Sequence, residues 1–137
     1  MKCGVDMVKI SRIEKALSGD TGERFRAKVF TPLEIAYCES KGRGHSALQS
    51  YAARFAAKEA FAKAMGTGLG ADVSLCEIEI ENAKQVQKVG ATAIASGKPA
   101  IRLTGATLAL FTTLGYTQLE LSLSHEDEYA VAFVVIS

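Results

Sequence analysis

The chain has 137 residues, of which 48% are hydrophobic, and it carries a formal net charge of +1. This length and apolar content predict one folded domain, residues 1–137, and argue against disorder. The small net charge gives no overall field that would attract nucleic acid, and no apolar run is long enough to cross a membrane. The first residues also lack the apolar core of a signal peptide, so we expect a cytoplasmic protein without nucleic-acid or membrane partners.

The first third of the chain predicts a strand followed by three short helices. The strand ends near Asp6, and apolar residues then recur at helical spacing on either side of a glycine-containing break. Thr31 to Glu34 predicts the start of the third helix, because threonine caps, Pro32 suits the first turn and glutamate completes a capping box. The expected elements are a strand at 2–8, a helix with Ile10, Ile13, Ala16 and Leu17, a helix with Phe25 and Val29, and a helix from 32 to about 40.

The rest of the chain predicts one long helix and mostly antiparallel strands. The long helix begins near Ser46 and ends at Met65, where Gly66 can cap it. Alternating apolar residues on either side of a turn at 126–128 predict a β-hairpin. The other expected elements are a strand at 76–80, an irregular stretch from Ala83 to Ser96, a turn at Gly97-Lys98-Pro99 into a strand at 100–103, and a helix at 106–114. Together these elements predict an α+β fold, with a mostly antiparallel sheet, one long helix and several short ones.

Two charged residues interrupt an apolar face of the long helix. At 3.6 residues per turn, Glu59 and Lys63 fall on the same stripe as Ala52, Phe55 and Ala56. Charges are rare on such a face unless a metal ion or a phosphate compensates them. The alternative is an ordinary ion pair on the helix surface, worth roughly a few tenths of a kcal/mol.

Three further features could contribute to a site. Asp6 lies at the expected end of its strand, and an aspartate with a glutamate is a minimal protein contribution to a Mg²⁺ site. The glycine-rich loop from Gly66 to Gly70 could bring backbone N–H groups to a phosphate, although a plain helix cap explains the loop alone better. His125 follows Ser124, but no nucleophile-elbow motif surrounds this serine, which disfavours a hydrolytic triad. A phosphate contact and an ordinary surface position are the alternatives for this histidine.

Five segments, taken in order, resemble one family. They are Gly4-Val5-Asp6, the capping segment Phe30-Thr31-Pro32-Leu33-Glu34, the run from Arg54 through Glu59 to Lys63, Gly97-Lys98-Pro99, and Ser122-Leu123-Ser124-His125. Over nearly its whole length the chain is similar to the 4′-phosphopantetheinyl transferases of the short bacterial holo-[acyl-carrier-protein] synthase type. The ordered set is specific, whereas any single segment would be a weak signal.

The resemblance implies an activity. Members of the family transfer 4′-phosphopantetheine from coenzyme A to a serine of apo acyl carrier protein and release adenosine 3′,5′-bisphosphate. They form homotrimers with active sites at the subunit clefts. The resemblance therefore implies a Mg²⁺ site at Asp6 and Glu59 and coenzyme A as co-substrate. It also places Lys63 on a coenzyme A phosphate.

The resemblance also implies roles for other residues. Those expected at the nucleotide end of coenzyme A are Arg54, Gly66, Thr67, Gly68, Pro99 and His125. Those expected to dock the acidic carrier protein are Arg12, Arg24 and Lys28. Glu59 is the expected base for the carrier serine, and Lys63 is expected to stabilise the leaving phosphate. The stretch from Ala83 to Ser96 is longer than usual for the family.

Two other functions stay open at the level of sequence. A non-enzymatic module could bind carrier proteins through its basic early helices, but it would not need Glu59 and Lys63 on a tight apolar stripe. A metal-dependent phosphohydrolase usually needs more carboxylates or histidines than cluster in this sequence. Fatty-acid and polyketide carrier proteins are both compatible with the sequence.

Overall fold

The computed structural model describes residues 1–40, 42–70, 72–89 and 92–137, and for residues 83–89 and 92–96 it describes the backbone alone. The elements, in chain order, are β1 (Lys2–Lys9), α1 (Ile10–Leu17), α2 (Gly22–Val29), α3 (Pro32–Cys38), α4 (His45–Met65), a 3₁₀ turn (Leu75–Glu77), β2 (Ile78–Val89), β3 (Thr92–Leu103), α5 (Gly105–Thr113), β4 (Leu119–His125) and β5 (Tyr129–Ile136). The predicted α+β class is confirmed.

The long helix α4 packs on a three-stranded antiparallel sheet. The strand order is β1-β5-β4, so β5 lies in the centre, and β2 and β3 pair with each other separately. Successive side chains of a strand alternate between faces, and the helix-facing side of β5 carries Ala130, Ala132, Val134 and Ile136, all buried. Helices α1 and α3 contact α4 as well, so most of α4 is removed from solvent.

Local sequence signals located several elements correctly. The capping box of α3 is present, because the Glu34 amide donates to Thr31 Oγ1 at 3.3 Å and the Thr31 amide donates to Glu34 Oε1 at 3.0 Å. Helix α4 ends where expected, and Gly66 adopts a left-handed φ of 76° just beyond it. The C-terminal hairpin also forms as predicted, with β4 paired to β5. None of the described helices combines the length and the hydropathy that a membrane crossing requires.

The prediction that Asp6 lies at the end of its strand was wrong. Strand β1 continues to Lys9, and Asp6 lies within it, directly opposite Ala132 of β5. Pairing with a strand more than 120 residues away extends β1 beyond the apolar run that local reasoning could detect. Asp6 is therefore presented along an edge strand, on the side that faces α4, and not at the rim of the sheet.

The stretch from Ala83 to Ser96 is not irregular, as far as the structure describes it. It belongs to the two arms of the β2–β3 hairpin, whereas Gly90 and Ala91 lie outside the described residues. The predicted turn at residues 97–99 was also wrong, because these residues lie within β3, with Pro99 opposite Asn82. The strand predicted from Cys76 begins at Ile78 instead, after the 3₁₀ turn. Backbone pairing between the two arms stabilises strands that the side-chain pattern does not signal.

Candidate functional site

The site forms where α4 crosses β1 at very short range. A Cβ atom added to Gly4 would lie 2.0 Å from the carbonyl oxygen of Ala60 and 2.7 Å from the amide nitrogen of Ala64. Only glycine leaves room for the helix backbone at this point. Because the small residues of α4 allow this approach, side chains of the next helical turn reach the strand residue two positions beyond Gly4, which is Asp6.

Asp6 and Lys63 make a direct contact at this crossing. Lys63 Nζ lies 2.8 Å from Asp6 Oδ1 and donates a second hydrogen bond to the carbonyl oxygen of Val5 at 3.1 Å. The Asp6 side chain is 16% exposed and that of Lys63 is 54% exposed. The alternative interpretation, an ion pair between Glu59 and Lys63, is not what forms: the lysine pairs with the strand aspartate instead.

Glu59 lies in the same cluster, half-buried one turn before Lys63. Burial and the nearby Asp6 carboxylate raise the pKa of Glu59, while Lys63 and Arg12 oppose that shift. Glu59 and the neighbouring Asp6 carboxylate together form a pair of oxygen donors to which a cation is complementary. Among the described residues no third carboxylate, histidine or cysteine joins them in a metal-binding group. Two carboxylates are what Mg²⁺ commonly takes from a protein that also binds phosphates.

The predicted glycine loop continues from this cluster. The Gly66 amide donates to the carbonyl oxygen of Lys63 at 3.1 Å, so the loop begins one turn after the lysine. Gly66 and Gly68 adopt φ values of 76° and 67°, which favour glycine, and Thr67 between them is exposed. The loop therefore follows Lys63 directly, at the exposed end of α4.

Arg54 and Pro99 belong to a second group, apart from the first. Arg54 and Lys63 are nine positions apart on α4, which places them about 180° apart around the helix and roughly 13 Å apart along it. The Arg54 guanidinium is buried and stacks 4.1 Å above the ring centre of Tyr37. Tyr37 accepts a hydrogen bond from Asn82, the strand partner of Pro99. No described residue accepts a hydrogen bond from the buried Nε of Arg54.

His125 lies in a third place, at the end of β4. It is exposed and lines an open cleft of about 290 Å³, together with Met7, Ser124, Tyr129 and others. A single chain therefore assembles Asp6, Glu59, Lys63 and the glycine loop, but it does not bring Arg54, Pro99 or His125 to them.

The sheet face that points away from α4 is apolar and uncovered. Val5 and Met7 of β1 are 54% and 65% exposed, and Phe133 of β5, the strand partner of Val5, is 45% exposed. Contiguous apolar surface of this kind marks an interaction site more often than free surface. This exposed sheet face runs beside the cleft that contains His125.

Sequence reasoning missed two residues near the site. Arg12 of α1 is close enough to Glu59 to oppose the rise of its pKa, whereas the resemblance implies a role in carrier docking alone. Lys58 is fully buried and forms an ion pair of 2.6 Å with the equally buried Glu34. The available signal was the spacing of Arg54 and Lys58, two charges one turn apart in a run of alanine and phenylalanine.

Comparison with known proteins shows which family the chain is similar to. Residues 2–134 match the family model of the 4′-phosphopantetheinyl transferase superfamily. The holo-[acyl-carrier-protein] synthase of Ruminiclostridium cellulolyticum is 44% identical over 137 residues, covering 100% of this chain and 92% of that protein. The one from Cytophaga hutchinsonii is 43% identical over 136 residues, covering 98% and 94%.

Solved structures show the same likeness. The holo-[acyl-carrier-protein] synthase of Neisseria meningitidis matches with a TM-score of 0.81 and 33% identity, covering 99% of this chain and 97% of that one. The Helicobacter pylori enzyme, solved in complex with coenzyme A, matches with a TM-score of 0.78 and 30% identity, covering 98% and 99%. With a family model and relatives that span almost the entire chain, this protein belongs to the 4′-phosphopantetheinyl transferase superfamily.

Proposed function

We propose that residues 1–137 form a single domain that transfers 4′-phosphopantetheine from coenzyme A to a serine of apo acyl carrier protein, releasing adenosine 3′,5′-bisphosphate. Similarity over the full chain to proteins named holo-[acyl-carrier-protein] synthase supports this activity. The observation that carries it is the cluster of Asp6, Glu59 and Lys63 at the crossing of α4 and β1. Two oxygen donors for a cation lie there beside one ammonium group that can meet a phosphate.

The donor set fits Mg²⁺. Asp6 and Glu59 provide hard oxygen ligands. Burial and the Asp6 carboxylate both raise the pKa of Glu59, and a cation between the two carboxylates would favour its ionised form. When bound, Mg²⁺ neutralises charge that develops on the pyrophosphate of coenzyme A. We therefore assign Asp6 and Glu59 as the residues that hold the metal.

The remaining roles follow from charge and position. The hydroxyl oxygen of the carrier serine attacks the β-phosphorus, and the bond to the phosphate of the nucleotide breaks. Glu59, which lies beside Asp6 in this cluster, takes the serine proton directly or through a water molecule. Lys63 is more than half exposed and can turn from Asp6 towards the leaving phosphate, whose new negative charge it stabilises.

A homotrimer would complete the coenzyme A site. Within one chain, Arg54, Pro99 and His125 lie apart from Asp6, Glu59 and Lys63, so a cleft between subunits is the arrangement that lets both sets contact one nucleotide. The exposed sheet face with Val5, Met7 and Phe133 supports such an assembly, because it is apolar and lies beside His125. A subunit interface covering this face would remove it from water.

The exposed basic residues of the early helices form the proposed binding surface for the carrier protein. Arg12 and Arg24 are exposed, as is Lys28, and an acidic helix of the carrier would pair with them. Arg26, on the same helix as Arg24, is instead buried in ion pairs with Glu23 and Glu39 and is not free to dock a partner. A cytoplasmic location is the natural setting for this reaction, and it stays a prediction from the sequence.

The test is a mass measurement on an apo carrier protein. Incubation with coenzyme A, MgCl₂ and the protein should add one 4′-phosphopantetheinyl group to the carrier. Asp6→Asn and Glu59→Gln should each reduce the rate by about 100-fold or more, since each removes a charge that acts in the transition state. Glu128→Gln, in the exposed β4–β5 turn, is the matched control and should leave the rate unchanged.

Three results would argue against the proposal. If several apo carriers gain no mass with folded, metal-replete protein, the chain is not this transferase. Carrier binding that neither needs coenzyme A nor yields product would identify a binding module. Release of adenosine 3′,5′-bisphosphate without a carrier would identify a hydrolase.

A further inference from the structure

Helix α4 contains a buried charge that the proposed reaction does not use. The Lys58 ammonium donates to the carbonyl oxygen of Val29 at 2.8 Å, to Glu34 Oε1 at 2.6 Å and to the carbonyl oxygen of Leu75 at 2.8 Å. These acceptors belong to the end of α2, to α3 and to the 3₁₀ turn. All three N–H groups of the ammonium are thus engaged, each by a different element.

The acceptor side of this contact is equally complete. Glu34 also accepts the amide of Thr31 at 3.0 Å and, through its second carboxylate oxygen, the amide of Ile80 at 3.1 Å. The carboxylate therefore links the start of α3 to β2 while it holds Lys58. A buried pair with every donor and acceptor satisfied is rigid, because any movement leaves a charge unpaired in the protein interior.

Lys58 and the sheet hold α4 from opposite sides. Lys58 and Ala60 are two positions apart, which separates them by about 200° around the helix. The Ala60 side touches β1 so closely that Gly4 has no room for a Cβ atom. Glu59 lies between these two contacts, about 100° from each. The direction in which Glu59 points is thus determined by two restraints, one on each side.

The two restraints differ in kind. The sheet side of α4 is packed with alanine, whose contacts fix how closely the helix approaches β1 but resist a small turn of the helix about its axis less than directional contacts do. Three hydrogen bonds from a single nitrogen do not tolerate such a turn. A rotation of about 20° would move a group roughly 6 Å from the axis by about 2 Å, which is enough to break the contact between Lys63 and Asp6.

We propose that Lys58 is a positioning residue, which holds α4 at the rotation where Glu59 and Lys63 meet Asp6. This inference rests on the proposed function of that cluster, because its kinetic consequence presupposes the transfer reaction. Lys58 itself touches neither substrate nor metal, since it is fully buried on the far side of the helix.

The test is the double variant Lys58→Met/Glu34→Gln. Lys58→Met alone leaves the Glu34 carboxylate buried without a cation and can fail to fold for that reason. The double variant removes both charges and keeps both side chains close to their original volume. Its urea midpoint should fall only moderately, because the carbonyl oxygens of Val29 and Leu75 lose their donor but no buried charge is left unpaired, and kcat is measured at urea concentrations where the protein is folded. Its kcat for transfer should nevertheless fall at least tenfold. Its crystal structure should show α4 turned and the contact of Lys63 with Asp6 lost.

A second variant separates positioning from general stability. Tyr51, also in α4, is buried and donates to Glu39 Oε1 at 2.8 Å, two turns before Glu59. Tyr51→Phe removes this hydrogen bond and should lower the urea midpoint while kcat stays at the wild-type value. Tyr51→Phe therefore shows how kcat responds when the protein is less stable but the contacts of Lys58 are intact.

The outcomes are distinct. A double variant with wild-type kcat and an unmoved α4 overturns the proposal, as does a slow variant in which α4 has not moved. If the wild type transfers nothing to any apo carrier, the proposed function fails. The crystal structure of the double variant then still decides the proposal, because it reports the rotation of α4 without any reaction.

Discussion

Gly4→Ala is the most direct test of the crossing between α4 and β1. The added Cβ atom would lie 2.0 Å from the carbonyl oxygen of Ala60, whereas ordinary contact begins at 3.4 Å, so the helix must retreat by about 1.4 Å. Neither a rotamer change nor a flexible side chain can relieve this overlap, because the atoms of α4 involved are backbone. Overpacking of this kind typically costs about 1–3 kcal/mol of folding free energy.

The effect on the reaction should exceed the effect on stability. Asp6 lies two residues after Gly4, and its contact with Lys63 is only 2.8 Å, so a retreat of α4 separates the two sides of the site. A misplacement of about 1 Å can reduce a rate by about 100-fold. Urea unfolding gives the stability change, and transfer to an apo carrier protein gives kcat.

A matched glycine provides the control for this variant. Gly97 lies within β3, and a Cβ atom added there would meet nothing within 4 Å. Gly97→Ala should therefore leave both the stability and the rate close to those of the wild type. A Gly4→Ala protein with wild-type kcat and urea midpoint would refute the reasoning, because it would show that the helix is free to move without consequence for the site.

The other predictions concern buried charge and assembly. Glu59→Gln should slow transfer by about 100-fold or more and yet leave the protein no easier to unfold at neutral pH. The reason is that a carboxyl group whose pKa is raised by burial and by Asp6 opposes folding while it is ionised. A clearly lower urea midpoint would contradict this. Because Glu59 must be ionised to bind a cation, the Mg²⁺ affinity measured by titration calorimetry should fall as the pH falls through the raised pKa of Glu59. An affinity independent of pH would argue against Glu59 as a metal ligand. The free energy of unfolding of Lys58→Met, measured with urea, should be about 3–5 kcal/mol lower than that of the wild type, because Glu34 is left buried and unpaired. A decrease below about 1 kcal/mol would show that water reaches the buried pair. Phe133→Asp should convert the proposed homotrimer to monomers in sedimentation velocity, because it puts a charge on the exposed apolar face of the sheet. An assembly that Phe133→Asp leaves unchanged would place the interface elsewhere.

Features that depend on neighbours in sequence were predictable. The capping box at Thr31 and Glu34 needs only residues three positions apart, and the structure contains it as expected. The end of α4 follows from Gly66, which tolerates a left-handed φ. The hairpin of β4 and β5 follows from alternation on both sides of a short turn. In each case, the residues that stabilise the feature lie within or beside it.

Features that depend on distant partners were not predictable from the pattern. The position of Asp6 within β1 requires β5, and the burial of Lys58 requires Glu34, which lies on another helix. The pairing of Lys63 with Asp6, which local spacing assigned to Glu59, has the same cause. The arms around Ala83 and Ser96 pair mainly with each other, so their alternation is weak and the stretch resembles a loop in sequence.

The pairing of β1 with β5 has a consequence for the order in which the site is assembled. Residues 2–9 pair with residues 129–136, so almost the whole described chain lies between the two strands. Contacts of such long sequence separation form late, because the loop they close loses much entropy before any contact stabilises it. During synthesis Glu59 and Lys63 can therefore lie on a formed helix while Asp6 still has no strand partner. Among the described strands β1 pairs only with β5, so the two carboxylates that we propose as metal ligands come together only once β5 has been made.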